Sequence, residues 1–377
     1  MTALILDVET TISNKGNPFD TTNKLVTIGC KWLDNPAEVW YDGWHNVDYY
    51  IKEADLLVGF NIKFDLHWLR KAGIDISNIR VWDCQIAEFL LESQRNPYPS
   101  LNKACEKYGL PLKYDKVKLD YWEKGVDTDS IPEDILSEYL KQDLVLTEEV
   151  YKRQVQEFEA KPELYRLFKL QCLDLLVLEE MEWNGILFST EDATDEATRL
   201  QKELENLTEE LNHFVNYAPV NWNSNDHVSA VLYGGNVTVD DRIPIGIFKS
   251  GEKKGQVRFK KIEKVYEFPR LVEPLKGTET VKEGYWKVNN DVLRSVKLTK
   301  EAKKIVELLG KYSEIEKLCN TYLLGWTKLI QKKNWKHNMI HGNLNQTTVV
   351  TGRLSSTQPN LQNADPQTKR YCRSRYG

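Results

Sequence analysis

The sequence predicts an α/β layered domain with a mixed sheet, followed by a mainly helical region that a small β insertion interrupts. Three observations carry this expectation. Short apolar runs of strand character alternate with amphipathic helical stretches over residues 1–158. From Leu164 onward the apolar period becomes helical over long spans. Between Gly234 and Glu283, glycine, lysine and proline break that period around short strand-like pieces.

Leu4–Thr10 (LILDVET) reads as a buried strand carrying two carboxylates, and the two-residue period of a strand puts Asp7 and Glu9 on one face. Two acids on a core strand require protonation, basic partners or a bound cation, since leaving them unpaired costs several kcal/mol each. Lys24–Trp32 and Glu38–Tyr41 are further strand-like runs that form a meander with the first. Asp55–Phe60 reads as a buried strand and Ile62–Lys71 as an amphipathic helix, with Asn61 between them and Asp65 one turn on. Ile79–Trp82 is a short strand. Asp83 is read as the N-cap of the helix over Ile86–Leu91, in preference to an outer polar group of a site. Leu101–Tyr108 is a helix stopped at Gly109, and Pro132, Glu133 and Asp134 open a long helix. On that helix Tyr139 and Asp143, four residues apart, share a face.

Leu164–Glu182 forms a long helix ended at Gly185, and Ser189 caps a helix running to about Val215. Within the insertion, strand-like pieces fall at Val257–Phe259 and Lys264–Phe268; DNA contact, partner contact and a solvated excursion all stay open for it. Helices resume over Lys300–Leu309 and Ser313–Ile330. The tryptophans at 32, 40, 44 and 68 are read as core in preference to base-stacking platforms, and His45 and His67 as structural.

A chain of 377 residues implies two or three domains. No apolar stretch approaches the ~20 residues of a membrane span, and no charged-then-apolar leader opens the chain. Six scattered cysteines without a C-x-x-C pair indicate reduced thiols in a cytoplasm-like compartment and argue against structural zinc. The net charge of −5 conceals an asymmetry. From residue 241 to the end there are 28 Lys and Arg against 13 Asp and Glu, net +15, which leaves 23 against 43, net −20, for residues 1–240. Such a division points to a basic surface for a polyanion attached to an acidic module.

Asp7, Glu9, Asp65 and Asp143 lie on or beside elements with strong apolar faces, with Tyr139 one turn before the last. A pair of Mg²⁺ ions, hard cations for which Mn²⁺ can stand in, needs about this many carboxylates to hold it at roughly 3.5–4 Å separation. The chemistry served is phosphodiester hydrolysis, in which a tyrosine hydroxyl orients the attacking water.

At this point the sequence resembles the DEDDy 3′–5′ exonucleases, specifically the proofreading domain of family A DNA polymerases. The motifs are Asp7-Val8-Glu9, Asn61-Ile62-Lys63-Phe64-Asp65 and Tyr139-Leu140-Lys141-Gln142-Asp143, in family order and spacing. The resemblance implies a ribonuclease H-like fold, with Asp7, Glu9 and Asp143 on the first metal and Asp7, with Asp65 partly through water, on the second. It implies that Tyr139 orients the nucleophilic water and that Asn61 contacts the DNA strand. No histidine lies near Asp143, which argues against the sister class with a histidine base. The resemblance continues through Glu180–Ile186, like the segment entering a polymerase thumb, and Asn221–Leu232, like the element after its first long helix.

Ile340–Gln346 and Thr351–Asn363 are rich in side-chain amides and hydroxyls around a single arginine, the groups that hold a phosphate backbone and minor-groove acceptors. They resemble the family A element that leads from thumb to palm and grips the primer–template duplex. By that resemblance Arg353 reaches the minor groove near the primer terminus, while Asn345, Gln346, Ser355, Asn360 and Gln362 or Asn363 contact DNA. The domain bounds expected are 1–158 for the exonuclease, 159–340 for the thumb with an insertion at about 234–284, and 341–377 for an incomplete first part of the palm.

A polymerase palm needs its own pair of carboxylates. After His341 the only acid is Asp365, so the chain is not expected to polymerise alone. The reading is a Mg²⁺-dependent proofreading exonuclease portion of a phage-like or bacterial replication polymerase, cytoplasmic, in the host if phage-encoded. Its partners are single-stranded 3′ ends, primer–template duplex and a second polypeptide carrying palm and fingers; a processivity factor has room, a membrane has none. Two alternatives stay open: a duplex-clamping subunit with a vestigial site, and an RNA-trimming relative, which explains residues 1–155 alone.

Overall fold

The computed structural model describes residues 2–42, 44–113 and 116–374, in two compact units, 1–190 with 326–377 and 191–325. In the first unit the chain runs β1 (Ala3–Thr10), β2 (Leu25–Trp32), β3 (Glu38–Trp40), α1 (His45–Glu53), β4 (Leu56–Gly59), α2 (Ile62–Lys71), β5 (Val81–Asp83), α3 (Cys84–Leu91), α4 (Leu101–Tyr108), α5 (Lys116–Asp120), α6 (Glu133–Glu159), α7 (Pro162–Asn184) and β6 (Ile186–Phe188).

The sheet has the order β3-β2-β1-β4-β5. The meander β1–β2–β3 is antiparallel, whereas β4 and β5 run parallel to β1, so the sheet is mixed as expected. Leu4, Ile5 and Leu6 are almost wholly buried, each worth ~2 kcal/mol of transfer free energy. The sequence period failed at α1 and α5, short helices with few buried residues: Val47 and Ile51 in one, Val117 in the other. Trp68 is buried with its indole N–H donating to Gly16 O at 3.1 Å, and Trp32 and Trp40 pack on Tyr50, so these side chains serve the core.

Asp83 caps α3, accepting from Gln85 N and Ile86 N at 2.8 and 2.9 Å. Its other oxygen accepts from Ile62 N at 2.9 Å, so one carboxylate fixes the starts of both α2 and α3. Across α2 and α7 a charged ladder is buried. Lys63 pairs with Glu182 at 2.6 Å, His67 lies 3.0 and 2.9 Å from Glu179 and Glu182, and Arg70 pairs with Glu179 at 2.7 Å.

The second unit continues through α8 (Thr190–Phe214), α9 (Asn225–Tyr233), β7 (Gly235–Ile247), β8 (Val257–Phe268), α10 (Asn290–Ser295) and α11 (Lys300–Glu316). Its core joins Leu207, Leu211, Trp222, Leu232, Tyr233 and Ile305. The two short strand pieces expected in the insertion are one strand, β8, paired antiparallel along its length with β7. α11 runs unbroken through residues 310–312, joining what the sequence read as separate helices, and a π-helical stretch, Lys317–Leu323, links it to α12 (Leu324–Lys332).

The chain ends, in the first unit, with β9 (Met339–Ile340), β10 (Asn343–Asn345), β11 (Ser355–Thr357) and β12 (Cys372–Arg373). Arg375, Tyr376 and Gly377 of the expected palm start lie outside the described residues. The six cysteines form no disulfide. Among the described residues no helix is long and apolar enough to cross a membrane.

Candidate active site

The site is assembled by a close approach of α6 to β1 and β2. Gly29 pairs with Asp7 across the sheet. A Cβ on Gly29 would stand 2.8 Å from Leu140 and from Leu144, both fully buried on α6. Glycine thus lets the helix settle onto the strands, and Asp143, next to Leu144, comes over β1. Carboxylate oxygens of Asp7, Glu9 and Asp143 all lie within 4.8 Å of one another.

Asp65 reaches the site from α2. The pairing of β1 with β4 ends at Ile5 and Val58. Beyond it the Val8 amide turns to Asp65 instead, donating to Oδ1 at 3.0 Å. Asp65 is almost fully buried and lies outside the tight group of three. The four acids predicted from sequence therefore meet at one end of the sheet, three of them close enough to share one cation.

Crowding and burial leave their mark on the acids. Burial first, and then repulsion from Asp143, pushes Asp7 up to about 7, against the opposing pull of Lys113 and the Val8 amide. Burial and the charge of Asp7 hold Glu9 and Asp65 well above the usual carboxylate range. Burial likewise raises the Tyr139 phenol, which keeps its proton and remains a donor.

The sequence reading missed Lys113. Its ammonium pairs with Asp143 and lies 4.1 Å from the centroid of the Tyr139 ring. It sits in a connection with neither helical nor strand period, so no pattern singled it out. One ammonium cannot offset four carboxylates. A cluster of oxygen donors with this excess of negative charge fits a hard divalent cation such as Mg²⁺ or Mn²⁺.

The expected DNA-contact residues fall in two groups. Asn61 precedes α2 in the left-handed conformation (φ 63°) and lines, with Asn345 and Lys63, a polar cleft of about 180 Å³ beside Phe64 and Gln358. Asn345 pairs across the strands with Ser355. Gln346 is held by α7, donating to the backbone and side-chain oxygens of Gln171, both at 2.9 Å. Asn360 Oδ1 accepts from Gln362 N and Asn363 N at 3.1 and 3.2 Å, and Gln362 donates to Leu354 O. Arg353 is exposed in the turn between β10 and β11.

The strip is tied to α2 and α7: Leu344 N donates to Glu182 at 2.6 Å and Lys63 donates to Leu344 O at 2.6 Å. A larger cavity of about 550 Å³, lined by Trp82, Tyr151, Phe158 and Phe168, shares no residue with the acids.

A family model described as 3′–5′ exonuclease matches residues 30–157, and one described as DNA polymerase family A matches residues 261–376. The first match begins after β1, so Asp7 and Glu9 are joined to it by geometry alone. DNA polymerase I of Bacillus subtilis (strain 168) is 26% identical over 295 residues, covering 78% of this chain and 28% of its own length. The DNA polymerase of Bacillus phage SP01 is 26% identical over 338 residues, covering 83% of this chain and 34% of its own. The chain thus spans about a third or less of these curated relatives. The solved POL domain of Pol1 from M. smegmatis, in complex with DNA primer-template and dNTP, shares the fold with a TM-score of 0.68 at 14% identity, over 98% of this chain and 54% of that one.

Proposed function

We propose that this chain, which matches the 3′–5′ exonuclease model over residues 30–157 and the DNA polymerase family A model over 261–376, removes nucleotides one at a time from DNA 3′ ends, as a proofreading activity, and grips primer–template duplex beside that site. The observation that supports this most is the convergence of Asp7, Glu9 and Asp143 within 4.8 Å, with Asp65 bonded to the same strand. In functional terms the exonuclease is residues 1–158, the thumb 159–340 and the first part of the palm 341–377.

In this reading Asp7, Glu9 and Asp143 hold one divalent cation and Asp7 with Asp65 a second; Mg²⁺ is the ion of choice. Two such ions supply an activated water and stabilise charge on the leaving 3′-oxygen. The protein's own residues do the rest. Tyr139, kept protonated, donates to and orients the attacking water. Lys113 neutralises Asp143 when no cation is bound. Asn61 and Asn345, on one cleft, position the terminal nucleotides through their amides. Arg353, Asn360, Gln362 and Asn363 take the duplex in this reading, Ser355 joining them only if its buried hydroxyl turns outward, and internal hydrogen bonds hold the amides of their turn in place.

The curated relatives extend well beyond the matched part. In this reading palm and fingers come from outside these residues, on a second polypeptide or on the remainder of a longer one, and the complex works in the cytoplasm, the host's if phage-encoded, with room for a processivity factor.

The test is the purified chain on 5′-labelled single-stranded DNA with Mg²⁺. A ladder of 3′-shortened products is expected, absent in a variant with Asp7→Ala and Glu9→Ala. Equal degradation by that variant would falsify the site. RNA degraded in preference to DNA would overturn the substrate.

A further inference from the structure

The β7–β8 hairpin is unlike the rest of its unit in charge and in packing. Near its base Val237 is buried and Phe268 packs on the core of the unit, and Tyr285 donates its hydroxyl to Asn236 O at 2.9 Å. There acids slightly outnumber cations, Asp240, Asp241, Glu263 and Glu267 against Arg242, Lys261 and Lys264, with Lys261 paired to Asp240 and Lys264 to Asp241.

The distal half differs. From Ile243 to Lys260 five cations, Lys249, Lys253, Lys254, Arg258 and Lys260, accompany the single acid Glu252. None of the five has an ion-pair partner among the described residues. Ile245, Ile247, Val257 and Phe259 on the same stretch are 45 to 59% exposed. Phe259 stands opposite Pro244, where the register shifts at a bulge. The two-stranded sheet has both edges unpaired among the described strands. Its tip, residues 243–260, also falls between the two family matches, which end at 157 and resume at 261.

A long, exposed, apolar hairpin with open edges is a liability unless something covers it. The segregated positive charge selects a polyanion. A β-ribbon arm can enter the minor groove of B-DNA, where a proline or aromatic side chain on the arm wedges into a base step. We propose that the distal half of this hairpin is a duplex-DNA-binding arm, its lysines and Arg258 on phosphates and its Pro244–Phe259 pair against the groove. The identity of the polyanion as DNA rests on the function proposed above; the arm itself rests on the charge and exposure of the hairpin.

The experiment is equilibrium binding of the full chain to a fluorescent blunt DNA duplex over a salt series, without divalent ions. The variant replaces Lys253, Lys254, Arg258 and Lys260 with alanine. A control replaces Lys300, Lys303 and Lys311, exposed on α11. Expected for the arm variant is binding at least about tenfold weaker, with the slope of log affinity against log salt reduced by about 3, while the control changes far less. Phe259→Ala is expected to weaken binding severalfold with the slope kept; an unchanged affinity would overturn the wedge.

Arm and control variants that bind alike, or an arm variant that binds as the parent does, would overturn the proposal and leave an acidic protein as the occupant. Degradation of short single-stranded DNA by the arm variant at the parental rate separates this from the exonuclease reading. If that degradation is absent from parent and variant alike while the binding result holds, the exonuclease reading has failed and the arm stands. A matched thermal melt excludes misfolding.

Discussion

The acid cluster on β1 and α6 and the amide strip of β10, β11 and the turn after them belong to the same unit, yet they store their chemistry in opposite ways. The cluster is made of like charges forced together: burial and mutual repulsion raise Asp7 to about 7 and Glu9 and Asp65 well above their usual range. The strip is neutral except for Arg353, and its amides already bond within the fold, Gln346 to Gln171, Asn360 to the turn it opens and Gln362 to Leu354 O. The first site is destabilising until a counter-ion arrives and should be sensitive to single atoms. The second is largely hydrogen-bonded within the fold and spreads its grip over many weak contacts.

The largest effect expected tests the cluster. Asp7→Ala with Glu9→Ala should lower 3′-end hydrolysis by more than about 10³-fold, read as single-turnover rates on labelled DNA. Tyr139→Phe, which removes one oxygen, should lower the same rate by about 10²-fold with little change in strand binding. A rate loss confined to binding would assign Tyr139 to packing on Lys113 instead.

Lys113 supplies a sharper contrast, because it competes with any cation for Asp143. Lys113→Gln should tighten Mn²⁺ binding on the order of 10-fold, as measured by titration of the free ion by electron paramagnetic resonance. A weakened Mn²⁺ affinity would show that the lysine helps to shape the site.

The like-charge cost also has a pH sign. In the folded chain Asp7 keeps its proton up to about 7, whereas the unfolded chain releases it near 3.8. As pH rises between these values the unfolded chain gives up protons first, so the metal-free fold loses stability, and the loss is complete above the folded value. Asp7→Asn, which cannot ionise, should therefore stabilise the chelator-treated protein on the order of 4 kcal/mol above that range and hardly at all below it. Melting temperatures with chelator across the pH range decide it. An equal shift at every pH would point to packing.

The smallest effect falls on the strip. Arg353→Ala should weaken primer–template binding only a few-fold and leave hydrolysis of single-stranded DNA unchanged. A loss as large as that of the acid variants would mean that the strip concentrates its energy after all.

Much of the first unit could be read from the chain because its signals are periodic. The alternation that placed Asp7 and Glu9 together survives as one face of β1, and the spacing of Tyr139 and Asp143 holds on α6. The helices at Ile62–Lys71 and Leu101–Tyr108 have the bounds their periods predict. Asp83 was recognisable as a cap from local sequence, but its second bond, to Ile62, crosses 21 residues and follows only from the parallel pairing of β4 with β5. Lys113 was invisible for the same reason: its partner Asp143 is 30 residues away and its own segment has no period. In the insertion, charge and glycine content hid a strand as long as β8, because neither face of it is uniformly apolar.

The bonds joining Lys63, Glu182 and Leu344 carry a mechanical consequence. Lys63 lies two residues before Asp65 on the same helix, and Glu182 lies on a second helix, so a buried ion pair and two backbone hydrogen bonds bolt β10 to the rod that carries one of the acids. A buried pair of this kind yields little before it breaks, and breaking it by removing one partner costs about 3–5 kcal/mol. A force on β10 is thus passed to the α2 and α7 rods, which also hold Gln346 through Gln171.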